Sequence, residues 1–97
     1  MLAAFDCKKQ VYTRSDASDD GKGWMIYQLI NPDGLDVPTN HAILSYGSKV
    51  WPNSMKEKPP YYKEADALIT AMHAAKYYAE STPYPLIANC DQAPLSY

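Results

Sequence analysis

Two strand-like runs meet in the stretch Tyr12-Thr13-Arg14-Ser15-Asp16-Ala17-Ser18-Asp19-Asp20-Gly21-Lys22-Gly23-Trp24. The first run carries residues that suit a pleated surface, and it predicts strand 1 at about 9–16. Small and acidic residues with two glycines follow and predict a turn. The run from Trp24 to Ile30 is almost continuously apolar, which is typical of a central strand covered on both faces. We therefore expect the chain to begin its sheet with an antiparallel hairpin.

The rest of the chain predicts a third strand, a long helix and a final strand. A turn signal at 31–34 precedes strand 3 at 41–46, and a surface loop is expected over 48–58. Two prolines suit a helix start, and an apolar stripe predicts a helix over about 60–80. The stripe consists of Tyr61, Ala65, Leu68, Ile69, Met72, Ala75 and Ala79.

Strand 4 is predicted at 84–88, after the helix. A helical crossover makes this strand parallel to one of the earlier strands. The order β-β-β-α-β predicts an α/β fold in which a mixed sheet packs against one main helix.

Composition limits the classes of function. The 97 residues suffice for a single small domain, 1–97, with a modest core. A hydrophobic fraction of 46% argues against disorder. A net charge of -2 argues against the basic surface with which strong nucleic-acid binders hold phosphates. No apolar run approaches the ~20 residues of a membrane span, and the N-terminus does not resemble a signal peptide. We therefore expect a soluble intracellular protein.

The cysteines and histidines show no catalytic or zinc-binding spacing. Cys7 and Cys90 are expected to be reduced, and a disulfide between them stays open as the alternative. His73 falls opposite the predicted helix stripe and is expected to face solvent. His41, at the entry of strand 3, is expected to cap or to pack.

Three carboxylates lie where a single site would gather them. Asp16 and Asp91 each follow a predicted strand, and the two strand ends are adjacent if strands 1 and 4 are parallel neighbours. Glu64 falls in the first turns of the helix, at the rim of the predicted buried stripe. Converging acidic groups repel one another unless a cation lies between them, and Mg²⁺ prefers such oxygen ligands. The local alternative is that Asp16 caps the turn and Glu64 interacts with the helix dipole.

Three motifs, in order along the chain, resemble one known family. Residues 15–23 (Ser-Asp-Ala-Ser-Asp-Asp-Gly-Lys-Gly) are similar to the opening T-D-A-S-x-x-G-x-G of the RNase H-like domain of gypsy-type LTR-retrotransposon reverse transcriptases. Residues 44–49 resemble the end of the family's third strand, and residues 91–95 resemble its T-D-H-x-P-L. The spacing from the third strand to Glu64 also fits, so the resemblance covers about residues 5–97.

This resemblance implies an RNase H-like fold and a nuclease that cuts the RNA strand of RNA–DNA hybrids with two Mg²⁺ ions. Carried over residue by residue, it makes Asp16, Glu64 and Asp91 the catalytic, metal-binding carboxylates. The family's last strand, C-terminal helix and fourth carboxylate would fall beyond Tyr97. The resemblance therefore predicts a domain truncated after strand 4.

Departures from the family pattern bear on activity. Gln92 stands where the family has His, Cys90 stands where it has Thr, and residues 58–60 differ from its Asn-Tyr-Ser. With the missing fourth carboxylate, these differences favour a domain that no longer cleaves on its own and serves as a small structural or accessory subunit of a larger assembly. The alternative is an active Mg²⁺-dependent endonuclease within a longer polyprotein, and an RNA–DNA hybrid is a partner only in that case.

Tyrosine is abundant, with nine residues in the chain. Several fall in the helix and the tail, and side chains with a ring and a polar tip are enriched at interfaces. We expect an interaction surface for other protein subunits among Tyr61, Tyr62, Tyr77, Tyr78, Tyr84 and Tyr97.

Overall fold

The computed structural model describes residues 2–90 and contains one mixed sheet in the strand order β3-β2-β1-β4. The strands are β1 (Tyr12–Ala17), β2 (Gly21–Leu29), β3 (His41–Val50) and β4 (Ile87–Cys90). β1 and β3 both pair antiparallel with β2, whereas β4 pairs parallel with β1. The predicted antiparallel meander and a final strand parallel to an earlier one are therefore confirmed, whereas the bounds 84–88 predicted for that strand are wrong, because β4 pairs with β1 over Ile87–Cys90.

The helices differ from the prediction in two places. They are α1 (Asn53–Lys56), α2 (Pro60–Ala74) and α3 (Lys76–Glu80), with a 3-10 turn at Pro38–Asn40. The single helix predicted over 60–80 is wrong, because α2 ends at Ala74 and α3 begins at Lys76, with ψ of -4° at the intervening Ala75. The loop predicted over 48–58 is also wrong, since β3 pairs with β2 as far as Val50 and α1 follows it.

α2 lies on the sheet through a different face from the predicted stripe. Its buried residues are Lys63, Glu64, Ala67 and Ala71. Four members of the predicted stripe are instead exposed, namely Tyr61, Ala65, Ile69 and Met72. Alanine side chains allow a helix axis to approach the sheet closely, whereas larger side chains at these positions would hold it away. Glu64 therefore lies within the buried face of α2, and not at the rim of the predicted stripe.

The core lies between α2 and one face of the sheet. Val11, Ile26, Leu44 and Ala75 form its buried cluster, against which Phe5, Tyr78 and Leu86 pack. Along β1 the residues Thr13 and Ser15 are buried, and side chains alternate between the two faces of a strand. Tyr12, Arg14 and Asp16 therefore share the opposite face, which we call the second face.

The exposure of individual side chains tests the predictions made for His73, for the cysteines and for the tyrosines. His73 is exposed, as predicted, and Cys7 is an exposed free thiol. Tyr61, Tyr62, Tyr77 and Tyr84 are exposed, whereas Tyr78 is partly buried against Phe5. Tyr97 lies outside the described residues. None of the helices found within residues 2–90 has the length and apolar character needed to cross a membrane.

Candidate functional site

The turn between β1 and β2 is held by Ser18 and fixed to the rest of the molecule by Trp51. The Ser18 hydroxyl accepts hydrogen bonds from the backbone N–H groups of Asp20 and Gly21. The Trp51 indole N–H donates to the Ser18 carbonyl at 2.7 Å, and the Trp51 backbone N–H donates to the Asp20 carbonyl at 2.9 Å. The end of β1 is therefore attached to the segment that follows β3.

The two glycines after this turn have different roles. A Cβ atom at Gly21 would fall inside van der Waals contact with the backbone carbonyl oxygen of Lys49. A Cβ atom at Gly23 would meet only the Gly47 carbonyl oxygen, at an ordinary distance of 3.8 Å. The close approach of β2 and β3 therefore requires glycine at position 21 and tolerates a side chain at position 23.

Glu64 is the predicted site residue with the most unusual surroundings. Its residue exposure is 6%, and its Oε1 atom has no hydrogen-bond partner among residues 2–90. The side chain lines a cleft of about 300 Å³ together with Lys63, Pro60 and the turn residues 17–19. Buried polar atoms are nearly always hydrogen-bonded in folded proteins, so this oxygen is available to accept a hydrogen bond or to bind a cation.

Asp16 lies at the end of β1, on the second face, and is exposed. It lines a cleft of about 400 Å³ with residues of β2 and β3. This cleft and the Glu64 cleft both include Ser18, so the two carboxylates lie on either side of one turn residue. The structure thus places Asp16 and Glu64 in two different clefts that share Ser18, with Asp16 on the second face and Glu64 in the face of α2 that packs on the sheet.

Asp91, the third predicted ligand, lies outside the described residues. The parallel register of β1 and β4 runs from Tyr12–Ile87 to Ser15–Cys90. Asp16 and Asp91 are the residues that follow this last pair in the sequence. Residues 2–90 by themselves contain no group of three or more His, Cys, Asp and Glu residues able to hold a metal ion.

A second polar cluster, centred on Asp36, was not predicted from the sequence. The Tyr27 hydroxyl, on a fully buried residue, donates to the Asp36 carboxylate at 2.8–2.9 Å. His41 Nε2 lies 2.5 Å from Asp36 Oδ1, and an Arg14 nitrogen lies 3.6 Å from the same oxygen. The His41 ring stacks on the Tyr27 ring with centroids 4.0 Å apart, which confirms that His41 packs. We call Arg14, Tyr27, Asp36 and His41 the Asp36 cluster.

The pKa values in the Asp36 cluster follow from these contacts. Burial, and then the hydrogen bond and negative charge of Asp36, raise the pKa of Tyr27 from 10.0 to about 12. Burial acts to raise the pKa of Asp36, but hydrogen bonds from Tyr27 and His41 and the charge of Arg14 outweigh it. They hold that pKa below its usual value of 3.8. The cluster is thus neutral at Tyr27 and ionised at Asp36 over the physiological range.

A lysine of β2 ties the sheet to α2. Lys22 Nζ donates to Asp66 Oδ1 at 2.5 Å and to the Thr70 hydroxyl at 2.6 Å. The same ammonium lies 5.5 Å from the centroid of the Trp51 ring. This contact holds the middle of α2 beside the strand that follows the Ser18 turn.

The strand order β3-β2-β1-β4, with α2 across one face and the parallel pair β1–β4, defines an RNase H-like fold. Among solved structures, the chain is similar to the foamy viral protease-reverse transcriptase in complex with dsDNA, with a TM-score of 0.61 and 19% sequence identity over 97% of this chain. The chain spans 17% of the length of that protein. No protein-family model matches the chain, and no curated protein matches it. At this identity the likeness establishes the fold alone.

Proposed function

We propose that the chain is an RNase H-type domain of reverse-transcriptase origin whose carboxylates Asp16, Glu64 and Asp91 bind divalent cations. The observation that carries this proposal is the buried Glu64 oxygen without a hydrogen-bond partner among residues 2–90. A cation beside Glu64 would satisfy that oxygen, and oxygen ligands of this kind are those that Mg²⁺ prefers. The donor set therefore fits the metal that the resemblance implies.

The register of the sheet supports the choice of the other two ligands. The parallel pairing of β1 and β4 reaches Ser15 and Cys90, which directly precede Asp16 and Asp91. We propose that this pairing brings the two aspartates together across the Ser18 turn from Glu64. The resemblance of residues 15–23 and 91–95 to the motifs of gypsy-type LTR retrotransposons supports an origin in such an element.

The proposed substrate is the RNA strand of an RNA–DNA hybrid. The domain would cleave it as part of a longer, intracellular protein. Bound metal ions would activate a water molecule for attack on the phosphodiester and stabilise the leaving oxygen. Asp16, Glu64 and Asp91 would hold the ions, and the Ser18 turn, attached to Trp51, would keep Asp16 and Glu64 at a fixed separation.

Metal binding and cleavage test this proposal together. Titration of the purified chain with Mn²⁺ in a calorimeter should show binding that Asp16→Asn or Glu64→Gln weakens by about tenfold or more. Asp20→Asn is the matched control, because it removes an exposed carboxylate from the same turn. An RNA–DNA hybrid incubated with Mn²⁺ should be cut by the wild type and not by Asp16→Asn. A wild type that binds no Mn²⁺ would refute the proposal.

A second candidate is a non-catalytic accessory subunit of a larger assembly. It is favoured by exposed aromatic side chains on the two neighbouring helices, with Tyr77 83% exposed and Tyr61 56% exposed. Single exposed hydrophobic residues are common, but adjacent tyrosines on two helices are typical of a surface that contacts another protein. Light scattering on the native material distinguishes the candidates. A stable monomer would refute this one, and a complex broken by Tyr77→Ser, but not by the distant Tyr46→Ser, would support it.

A further inference from the structure

The cleft that Glu64 lines lies between a helix and a turn. One wall consists of Pro60, Lys63 and Glu64 at the start of α2, and the other consists of residues 17–19 at the end of β1 and in the turn after it. Packed helices can slide by small amounts against their neighbours, so the side-chain contacts between the two walls set the width of the cleft.

Lys22 forms a contact of this kind from the sheet to α2. In the register of β1 and β2 it pairs with Ala17, which lines the cleft. Its Nζ atom donates to Asp66 Oδ1 at 2.5 Å and to the Thr70 hydroxyl at 2.6 Å. Asp66 lies two residues beyond Glu64 in the same helix. The Lys22 side chain is only 13% exposed, so this contact is less weakened by solvent than an ion pair at an open surface.

The other wall of the cleft is fixed to the same ammonium group. The Trp51 indole N–H donates to the Ser18 carbonyl at 2.7 Å, and the Lys22 Nζ atom lies 5.5 Å from the Trp51 ring centroid. That distance is within the range of a cation–π contact. Trp51 is buried, with 4% exposure, and packing therefore restricts its ring. Lys22 thus contacts both the residue that holds the Ser18 turn and the helix that carries Glu64.

We propose that Lys22 is a positioning residue for cation binding at Glu64. Its contacts with Asp66, Thr70 and Trp51 fix the distance between the Glu64 carboxylate and the Ser18 turn. Lys22 itself does not bind the metal, because an ammonium group has no acceptor atom. This inference rests on the proposed metal site.

The direction of the effect distinguishes positioning from simple electrostatics. Lys22 and Lys49 pair in the register of β2 and β3, and both line the cleft of Asp16. Through charge alone, replacing either lysine with a neutral residue would strengthen the binding of a cation nearby. The positioning role predicts the opposite for Lys22, whose ammonium also holds α2.

Calorimetric titration of the full chain with Mn²⁺ tests this inference. Lys22→Met keeps an unbranched side chain without the ammonium and should weaken Mn²⁺ binding by about tenfold. Thr70→Val changes no charge and should weaken it by about threefold. The double variant should bind no more weakly than Lys22→Met, because both changes break one connection. Lys49→Met is the matched control, since it removes an equal charge from an exposed position and should leave the affinity unchanged or raise it.

The outcomes separate this inference from the metal site on which it rests. If the wild type binds Mn²⁺ and a folded Lys22→Met binds it as tightly or more tightly, the positioning role is refuted and the metal site stands. An equal loss of affinity in Lys49→Met would also refute the positioning role, since the contact with α2 would then not be its cause. If circular dichroism shows that Lys22→Met does not fold, Thr70→Val decides in its place. If the wild type binds no Mn²⁺, the metal site is refuted and the positioning role falls with it.

Discussion

Asp36 and Glu64 are two carboxylates of one small domain with opposite surroundings. Asp36 is partly exposed, with 31% of its side chain accessible, yet Tyr27, His41 and Arg14 all contact it. Glu64 is almost fully buried at 6% exposure, and its Oε1 atom has no hydrogen-bond partner among residues 2–90. The carboxylate that water reaches is thus surrounded by protein donors, whereas the one shielded from water is not.

Under the proposed function, this difference separates a structural carboxylate, Asp36, from a metal-binding one, Glu64. Hydrogen bonds and an ion pair lower the free energy of the ionised Asp36 in the fold, and they tie the 31–40 loop to β1 and β2. A buried oxygen without a donor raises the free energy of the folded state. Such a group persists where it serves a ligand, so stability should respond in opposite directions when the two carboxylates are replaced.

The largest effect is expected for Asp36→Ala. It leaves the buried Tyr27 hydroxyl without its acceptor and removes the partner of Arg14 and His41. We expect a loss of about 3 kcal/mol in the free energy of unfolding, because charged acceptors are worth more than neutral ones. In a domain of this size the loss lowers Tm by roughly 15 °C, as measured by circular dichroism.

Asp33→Ala is the control for this prediction, since it removes an exposed carboxylate from the same loop. It should change the free energy of unfolding by less than about 0.5 kcal/mol. Equal effects of the two substitutions would show that the contacts of Asp36 contribute nothing, and the contrast with Glu64 would then disappear.

A smaller effect is expected at alkaline pH, through Tyr27. Its pKa is raised in the fold from 10.0 to about 12, so the folded state keeps a proton that the unfolded state loses above pH 10. The resulting stabilisation is fully present below pH 10 and is lost as the pH rises through about 12. About 2 kcal/mol of it is lost by pH 11.5.

Urea unfolding of the wild type and Tyr27→Phe between pH 8 and pH 11.5 measures this contribution. The wild type should lose stability more steeply than the variant above pH 10, because Tyr27→Phe has no proton to lose at this position. Parallel curves would mean that the Tyr27 hydroxyl is not held by Asp36 in solution.

The succession of strands was predictable from the sequence because its signals are local, whereas the pairing of β4 with β1 in particular was left open. Turn residues separate the strands, and the rule for helical crossovers makes β4 parallel. The buried face of α2 was not predictable from hydrophobicity. The residues that pack there are Ala67 and Ala71, whereas Ile69 and Met72 point outward. Close packing selected small side chains over strongly apolar ones at this position.

The two carboxylate sites also differ in how far the sequence predicts them. Glu64 and Asp16 were identified from motif spacing, and the structure places them in two clefts that share Ser18. The burial of Glu64 was missed because it follows from the face through which α2 packs. The Asp36 cluster was missed entirely, since residues 14, 27, 36 and 41 come from separate segments and their contacts have no periodic signal.

The smallest effect, and the most direct test of the contrast, is expected for Glu64→Gln. In metal-free buffer this substitution should stabilise the protein by about 1 kcal/mol, because a neutral amide is easier to bury than a carboxylate without a partner. Chemical unfolding with EDTA present measures the difference, and Glu80→Gln, at an exposed position of α3, should show none. Added Mn²⁺ should reverse the order, since a ligand that binds only the folded wild type stabilises it by mass action. A variant less stable than the wild type in EDTA would mean that the Glu64 carboxylate is held by protein donors in solution. Glu64 would then be a structural residue like Asp36, and the buried oxygen would no longer indicate a metal site.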